Sequence, residues 1–328
     1  MPDQASVLDI EALREACGVL EAGLRTTLLV TGEDHRTWLD RIGSNPIQDA
    51  PQGKCILATL MDGKGRLQAD LRILTLEESV FLDIPAASRE AILKLLEMYI
   101  INEAVEVEDL SNQTRIHSVL GPRSREVMDM AELPTPTEED GLAAYEGASV
   151  PGIRAVVTSR LCGLEGFDII VDVDDSDDLS NRLTVAGGVR VEQDALDVVR
   201  LEQGIPWFEA DLSGGVIPLE AGLDAWVSVT KGCYPGQEVV ARIANLGQVS
   251  RKLVRLETSG VAPLNSPADL TGTGEQEGKT AGVLTSFAYD PTADITRALG
   301  YVRRSFLDPG TSLATADALL TVREATPG

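Results

Sequence analysis

A thiol two residues after a lysine, between two glycines, is the combination in this chain best suited to chemistry: Lys231-Gly232-Cys233-Tyr234-Pro235-Gly236-Gln237-Glu238. A cysteine acts as nucleophile or metal ligand through its thiolate, and a nearby cation lowers the thiol pKa. Cys233 is therefore expected to be a reactive or ligand-transferring thiol, with Lys231 as the cation that favours its thiolate. Gly232 and Gly236 allow positive φ or close backbone approach. Pro235 fixes its own φ and removes a donor. Gln237 and Glu238 add polar groups before the apolar Val239-Val240-Ala241, so the loop-shaping set is Gly232, Gly236, Gln237 and Glu238. The competing reading of Cys233 is a small buried apolar residue, a common environment for a free cysteine.

Two aromatic residues, Trp207 and Phe208, follow Pro206 and are able to stack on a flat heterocycle. A core or interface role fits them equally well. Arg200 and Glu202 lie two apart on a helical stretch and so face different ways; one is free to pair structurally while the other meets a ligand. No metal site is expected. Cys17, Cys55, Cys162 and Cys233 are far apart, with no Cys-x-x-Cys and no His at ligand spacing. The acidic run Asp172–Asp178 lacks the glycine and the closing glutamate of a calcium loop, and reads as an acidic turn capping a helix. Asp62-Gly63-Lys64-Gly65 lacks the Gly-Lys-Ser/Thr order of a phosphate loop and reads as a hairpin turn.

Composition narrows the function classes. The 328 residues carry a formal charge of −24, with acidic residues spread along the chain. Such a surface repels nucleic acid and anionic membranes, so direct nucleic-acid or membrane binding is not expected. No apolar run reaches the ~20 residues that span a bilayer, and Met1-Pro2-Asp3-Gln4 has no basic start of a secretory signal. A cytoplasmic location follows as the expectation. Positive charge gathers late, at Lys231, Arg242, Arg251, Lys252, Arg255, Arg303 and Arg304, consistent with a local mouth for an anion.

The elements that must position these groups alternate between short strands and helices. Leu71–Leu76 and Val80–Ile84 read as paired strands, and a helix after Pro85 places Ile92, Leu95, Leu96 and Tyr99 on one face. Strands are expected at 105–107, 116–120, 153–158 and 167–173, with helices after Pro122 and over 194–203. Residues 131–150, with two prolines and an acidic run, read as a surface linker. From Gln248 the helical period disappears and strand-like runs separated by turns remain. The prediction is an α+β protein, with a body over 1–247 and a C-terminal β domain over 248–328.

The loop Lys-Gly-Cys-Tyr-x-Gly-Gln-Glu also resembles the signature of the YgfZ family, folate-binding proteins tied to iron–sulfur cluster assembly or repair. Arg200-Leu201-Glu202-Gln203-Gly204, Pro218-Leu219-Glu220-Ala221-Gly222 and Val239-Val240-Ala241-Arg242 extend the likeness, with echoes at 30–34 and 299–304. That family is similar to the glycine-cleavage T-protein, an aminomethyltransferase. The resemblance implies a folate-binding body of two intertwined antiparallel α/β lobes followed by a C-terminal β-barrel. It implies tetrahydrofolate as ligand, Asp168 as the contact to the pterin, and Arg200, Trp207 and Glu220 as ligand-binding or pocket-ordering residues. Cys233 would act at the pocket edge, on iron–sulfur enzymes or cluster carriers that include tRNA-modifying ones. The alternative is a folate-dependent aminomethyl or one-carbon transferase. Against it stand Leu196, where the transferase carries an arginine, and the stretch Asp83–Glu90, which offers no catalytic aspartate. A scaffold that has lost folate is a third possibility.

Overall fold

Period-two burial on the strands and period-3.6 burial on the helices decide how this chain layers. The computed structural model describes residues 5–21, 23–137, 142–144, 152–159, 161–212 and 215–325. Along the first half run α1 (Val7–Glu15), β1 (Gly18–Glu21), β2 (Arg25–Thr31), α2 (His35–Ile42), β3 (Cys55–Met61), β4 (Leu67–Thr75), β5 (Val80–Pro85), α3 (Arg89–Tyr99) and β6 (Glu106–Asp109). Then come β7 (Thr114–Leu120), α4 (Ser124–Met130), β8 (Leu142–Ala144), β9 (Ile153–Ser159), β10 (Gly166–Asp172), α5 (Ser176–Val185), β11 (Val189–Arg190), α6 (Gln193–Gln203) and α7 (Gln237–Leu246). The C-terminal strands are β12 (Arg251–Ser259), β13 (Ala268–Gly272), β14 (Thr280–Asp290), β15 (Ile295–Arg303), β16 (Ser312–Ala314) and β17 (Leu319–Ala325).

They build two sheets and a closed barrel. One sheet has the order β3-β4-β5-β2-β6, the other β11-β1-β7-β10-β9-β8, and the barrel β12-β15-β14-β13-β16-β17. Pairing is antiparallel except for β1 with β11. The expected hairpin is β4 and β5, joined with Thr75 opposite Val80. Ile92 and Leu96 are the fully buried residues of α3. Within the stretch read as a linker, Leu142–Ala144 instead adds a strand beside β9; residues 138–141 and 145–151 lie outside the described residues. The acidic run leads into α5, but no side chain caps that helix.

Each sheet turns one face to helices and the other to its partner sheet. Leu28, Val30, Ala69, Leu71, Ile73, Leu82 and Ile84 pack on Trp38, Leu39, Ile92 and Leu96 of α2 and α3. Val119, Val156, Phe167, Ile169 and Val171 pack on Val127, Met128, Leu179 and Leu183 of α4 and α5. Between the sheets, Leu74 and Phe81 meet Ile116, Ala155, Val157 and Ile170. Full burial of such a side chain stabilises by about 1.5–3 kcal/mol, so the inner apolar seam fixes how the sheets face. Strand alternation then dictates what lies further along the same faces. Two and four residues from Leu74 come Arg72 and Asp70, and two from Ile170 comes Asp168.

Candidate functional site

At its charged end the space between the sheets opens into a cavity of about 1010 Å³. Its wall takes Arg25, Cys55, Leu57, Asp70 and Arg72 from one sheet and Thr158, Ser159 and Phe167 from the other, with Trp207, Phe208 and Trp226 from the segments after α6. Register explains the first set. Leu57 lies opposite Arg72 and Thr59 opposite Asp70 in β3/β4, Arg72 opposite Asp83 in β4/β5, and Arg25 opposite Pro85 in β2/β5.

Buried charges are retained only when paired, and here the pairs form a chain. Arg25 donates from Nη1 to Asp70 Oδ2 at 2.8 Å and from Nε to Asp83 Oδ1 at 2.5 Å. Arg72 donates from Nε to Asp83 Oδ2 at 2.6 Å and from Nη1 to Asp168 Oδ2 at 2.5 Å. Ser118 Oγ donates to Asp168 Oδ1 at 2.5 Å. Burial works to lower the Arg72 pKa, but Asp83, Asp168 and Cys55 outweigh it and hold the guanidinium above its ordinary value. Arg25 is raised in the same way, by Asp70 and Asp83 against burial. Two cations thus serve three carboxylates. One acceptor is left over: Asp70 Oδ1 is buried without a hydrogen-bond partner, on a side chain that lines the cavity. Ser159 Oγ, also in that wall, is likewise buried without a partner.

The residues singled out by sequence distribute differently from expectation. Trp207 and Phe208 line the cavity. Asp168 does not touch the main cavity and is 1% exposed. It has both carboxylate oxygens engaged by its neighbours, Ser118 and Arg72. Arg200 is buried on Asp197 at 2.7 Å and Asp211 at 2.8 Å, and its guanidinium lies 4.7 Å from the Trp207 ring centre. It positions the tryptophan and does not reach the cavity. Glu220 accepts from Arg251 Nε at 3.0 Å at the entry to the barrel, so its role is to tie body to barrel. Leu196 is fully buried among Leu13, Val198 and Val199, where an arginine has no place.

The loop around Cys233 is a clasp. Lys231 Nζ donates to the carbonyls of Asp40 at 2.5 Å, Gly43 at 3.0 Å and Asn45 at 2.9 Å, with Asp40 Oδ1 at 3.4 Å. Its side chain is 4% exposed. The first two carbonyls belong to the C-terminal end of α2, where unsatisfied oxygens call for a cation. Lys231, expected to favour the neighbouring thiolate, has its ammonium group directed to these oxygens. The segment it holds in turn holds the cavity wall. Asn45 Nδ2 donates to Leu57 O at 2.6 Å and Ala225 O at 2.8 Å, and Ser44 Oγ to Trp226 O at 2.5 Å.

Cys233 itself is exposed and absent from the cavity wall, which takes Cys55 instead. Gly236, at φ 82°, packs on the hairpin tip, where a Cβ would fall 2.7 Å from Gly65 Cα. Nothing lies within 4 Å of a Cβ at Gly232, so no close approach requires glycine there. Gln237 Nε2 donates to Lys231 O at 3.0 Å, and Glu238 is exposed in the first turn of α7. The late arginines likewise avoid the cavity: Arg251 pairs with Glu220 and Arg255 donates to Glu202 O.

What sequence reading missed was the charged face of β4 and its partners Arg25, Asp83, Ser118 and Trp226. A signal was present. Gln68, Asp70 and Arg72 recur with period two inside an otherwise apolar strand, and a strand covered on both faces keeps charges only where they are paired or used. Among the described residues no group of three or more His, Cys, Asp or Glu is placed to hold a metal ion, and no helix is long and apolar enough to cross a membrane.

Two helix-backed sheets followed by a six-stranded C-terminal barrel make up the T-protein fold. The crystal structure of glycine cleavage system aminomethyltransferase T from Bartonella henselae superposes with a TM-score of 0.84 at 20% identity, covering 98% of this chain and 88% of that one. Residues 3–231 match the family of the GCVT N-terminal domain, and the chain belongs to that family. It is similar to the aminomethyltransferase of Thermotoga sp. (strain RQ2), 26% identical over 304 residues, covering 90% of this chain and 81% of the relative. The aminomethyltransferase of Streptomyces avermitilis is 27% identical over 314 residues, covering 92% and 82%.

Proposed function

We propose that this protein is a tetrahydrofolate-dependent one-carbon transferase of the aminomethyl type. The observation that carries the reading is Asp70. Acid–base work of this kind needs a positioned carboxylate, and the alternative was disfavoured from sequence because none was found near Asp83–Glu90. Asp70 supplies one from the preceding strand: Oδ2 is fixed by Arg25 and Oδ1 has no partner. The residues fit a reduced pterin. A cavity wall with Trp207, Phe208 and Trp226 suits a flat ring, and an unpaired carboxylate oxygen suits its N–H groups.

In this reading Asp70 holds the proton at the reacting nitrogen, Arg25 keeps that carboxylate oriented, and Arg72 with Asp83 and Asp168 keeps Arg25's surroundings rigid. Trp207, backed by Arg200, forms a wall that excludes water. Bound tetrahydrofolate supplies the nitrogen that accepts the one-carbon unit from the carrier thiol while ammonia departs. The test is single-turnover transfer from an aminomethylated lipoyl carrier to tetrahydrofolate, with Asp70→Asn as the control variant. No transfer by the wild-type protein, with the ligand bound, removes the reading.

A second reading has one observation in its favour. Cys233 is the exposed one of the four cysteines, in the loop that resembles the YgfZ signature. As a folate-binding accessory factor the protein would present that thiol to iron–sulfur enzymes. A deletion strain whose iron–sulfur enzymes are impaired, and are rescued by Asp70→Asn but not by Cys233→Ser, would favour it.

A further inference from the structure

Three arginines line the cavity, and two of them are already committed. Arg25 and Arg72 are consumed by Asp70, Asp83 and Asp168, whose combined charge exceeds theirs. Glu165 and Glu209 also reach the wall. Apart from Arg125, the charged wall residues are two arginines against Asp70, Glu165 and Glu209, with Asp83 and Asp168 behind the arginines, and repulsion would keep the negative end of an anionic ligand away from that acidic side.

Arg125 is the exception. It lines the same cavity from α4, and among the described residues it forms no ion pair with any carboxylate. Its guanidinium is nonetheless held in place. The carbon Cζ lies 5.2 Å from the ring centre of Phe167, another wall residue, and Nη1 donates to Thr135 Oγ1 at 2.9 Å. One of five N–H donors is thus in use, and the planar fork remains available for a carboxylate. Thr158, directly opposite Phe167 in the β9/β10 register, brings a hydroxyl to the same wall.

We infer that Arg125 is the subsite for the anionic end of the ligand, receiving a glutamate carboxylate of the folate tail while the pterin lies toward Asp70. This rests on the folate reading above. It adds an orientation, and with it a discrimination: the site would separate tailed folates from free pterins by charge.

The probes are tetrahydrofolate and its glutamate dimethyl ester, which differ only in tail charge, titrated by calorimetry into the full chain, Arg125→Gln and Arg125→Lys. The wild-type protein is expected to prefer the acid by about ten- to hundredfold, the scale of a charge-assisted hydrogen bond. That preference should shrink with added salt. Arg125→Gln should erase the preference while leaving diester affinity unchanged, and Arg125→Lys should keep part of it. Arg125 is exposed, so an unchanged melting temperature is expected. Equal binding of the acid by wild type and Arg125→Gln, or equal weakening of acid and diester, overturns the subsite alone. Failure of the wild-type protein to bind either probe at millimolar concentration overturns the folate reading and the subsite together.

Discussion

Two of the places where this molecule buries charge, the clasp and the cavity wall, satisfy it in opposite ways. At the clasp, the Lys231 ammonium meets three backbone carbonyls and Asp40, and its donors are used up. At the cavity wall, two guanidiniums serve three aspartates and Asp70 Oδ1 stays without a donor. An unmade hydrogen bond at a buried acceptor costs about 1–3 kcal/mol. The clasp is saturated, whereas the wall keeps an acceptor facing the cavity, which is what the proposed role of Asp70 needs.

The largest effect should come from the unsatisfied side. Asp70→Asn keeps shape and an acceptor oxygen but loses the charge that a proton at the reacting nitrogen requires. Transfer turnover should fall about 10²- to 10⁴-fold, with the denaturant midpoint little changed because Arg25 retains Asp83. Full turnover in this variant would dissolve the contrast between the two regions.

Removing a cation separates them next. Arg72→Met leaves Asp168 buried without a cation and Asp83 with Arg25 alone, a loss of about 3–5 kcal/mol in unfolding free energy. Lys231→Met removes the partner of three neutral carbonyls and of the part-exposed Asp40 carboxylate, which water near the loop can replace in part, so about 1–3 kcal/mol is expected. If urea unfolding ranks Lys231→Met above Arg72→Met, the clasp rather than the wall holds the larger electrostatic strain.

The layered body was legible because it rests on local rules. The β4–β5 hairpin, the apolar stripe of α3 and the loss of helical period after Gln248 follow from side-chain spacing alone. The site was legible only in its aromatic part. Lys231 and Cys233 stand out because glycines and a proline surround them, yet such punctuation marks a constrained backbone before it marks chemistry. Gly236 needs its φ of 82° to pack on Gly65, 171 positions earlier in the chain. The ionic wall joins β2, β4, β5, β7 and β10, so Asp70 acquires its meaning only after five strands are aligned. Asp168 illustrates the same limit from the other side: its residue type suits a pterin contact, but Arg72, 96 positions away, claims it first.

A third cluster of charge, at the joint of body and barrel, sharpens the rule through pH. Asp290 accepts from Arg14 at 2.7 Å and Arg297 at 3.1 Å, linking α1 to the barrel, and Glu202 on α6 shares Arg14 at 2.6 Å. Burial alone would raise the Asp290 carboxyl, but hydrogen bonds from Thr292, Arg14 and Arg297 bring it down to about 2. A depressed carboxylate contributes stability above its unfolded value, about 3.9, and loses it as pH falls through the folded one. Thermal stability should therefore hold to about pH 4 and decline between about pH 4 and 2. In Asp290→Asn that decline should be shallower; an identical acid limb would show that the joint is not held by this pair.

The smallest effect belongs to Cys233. Burial pushes Cys17 and Cys162 up to about 12, so both thiols should resist a disulfide reagent in the native protein. Cys233 should react first, and Cys55 should become protected when the cavity is filled. Cys233→Ser removes one exposed sulfur from a loop held by its neighbours, and a change within about 0.5 kcal/mol is expected, with transfer turnover unaltered. The variant is informative because it is quiet. The clasp is explained by Lys231, Tyr234, Gly236 and Gln237 without any help from the thiol. A Cys233→Ser strain that keeps transfer but loses iron–sulfur enzyme activity would assign the thiol a separate task on the outer surface. Loss of transfer itself would bring Cys233 into the site from outside the cavity wall, and the division between a saturated clasp and an unsaturated wall would fail at its clearest point.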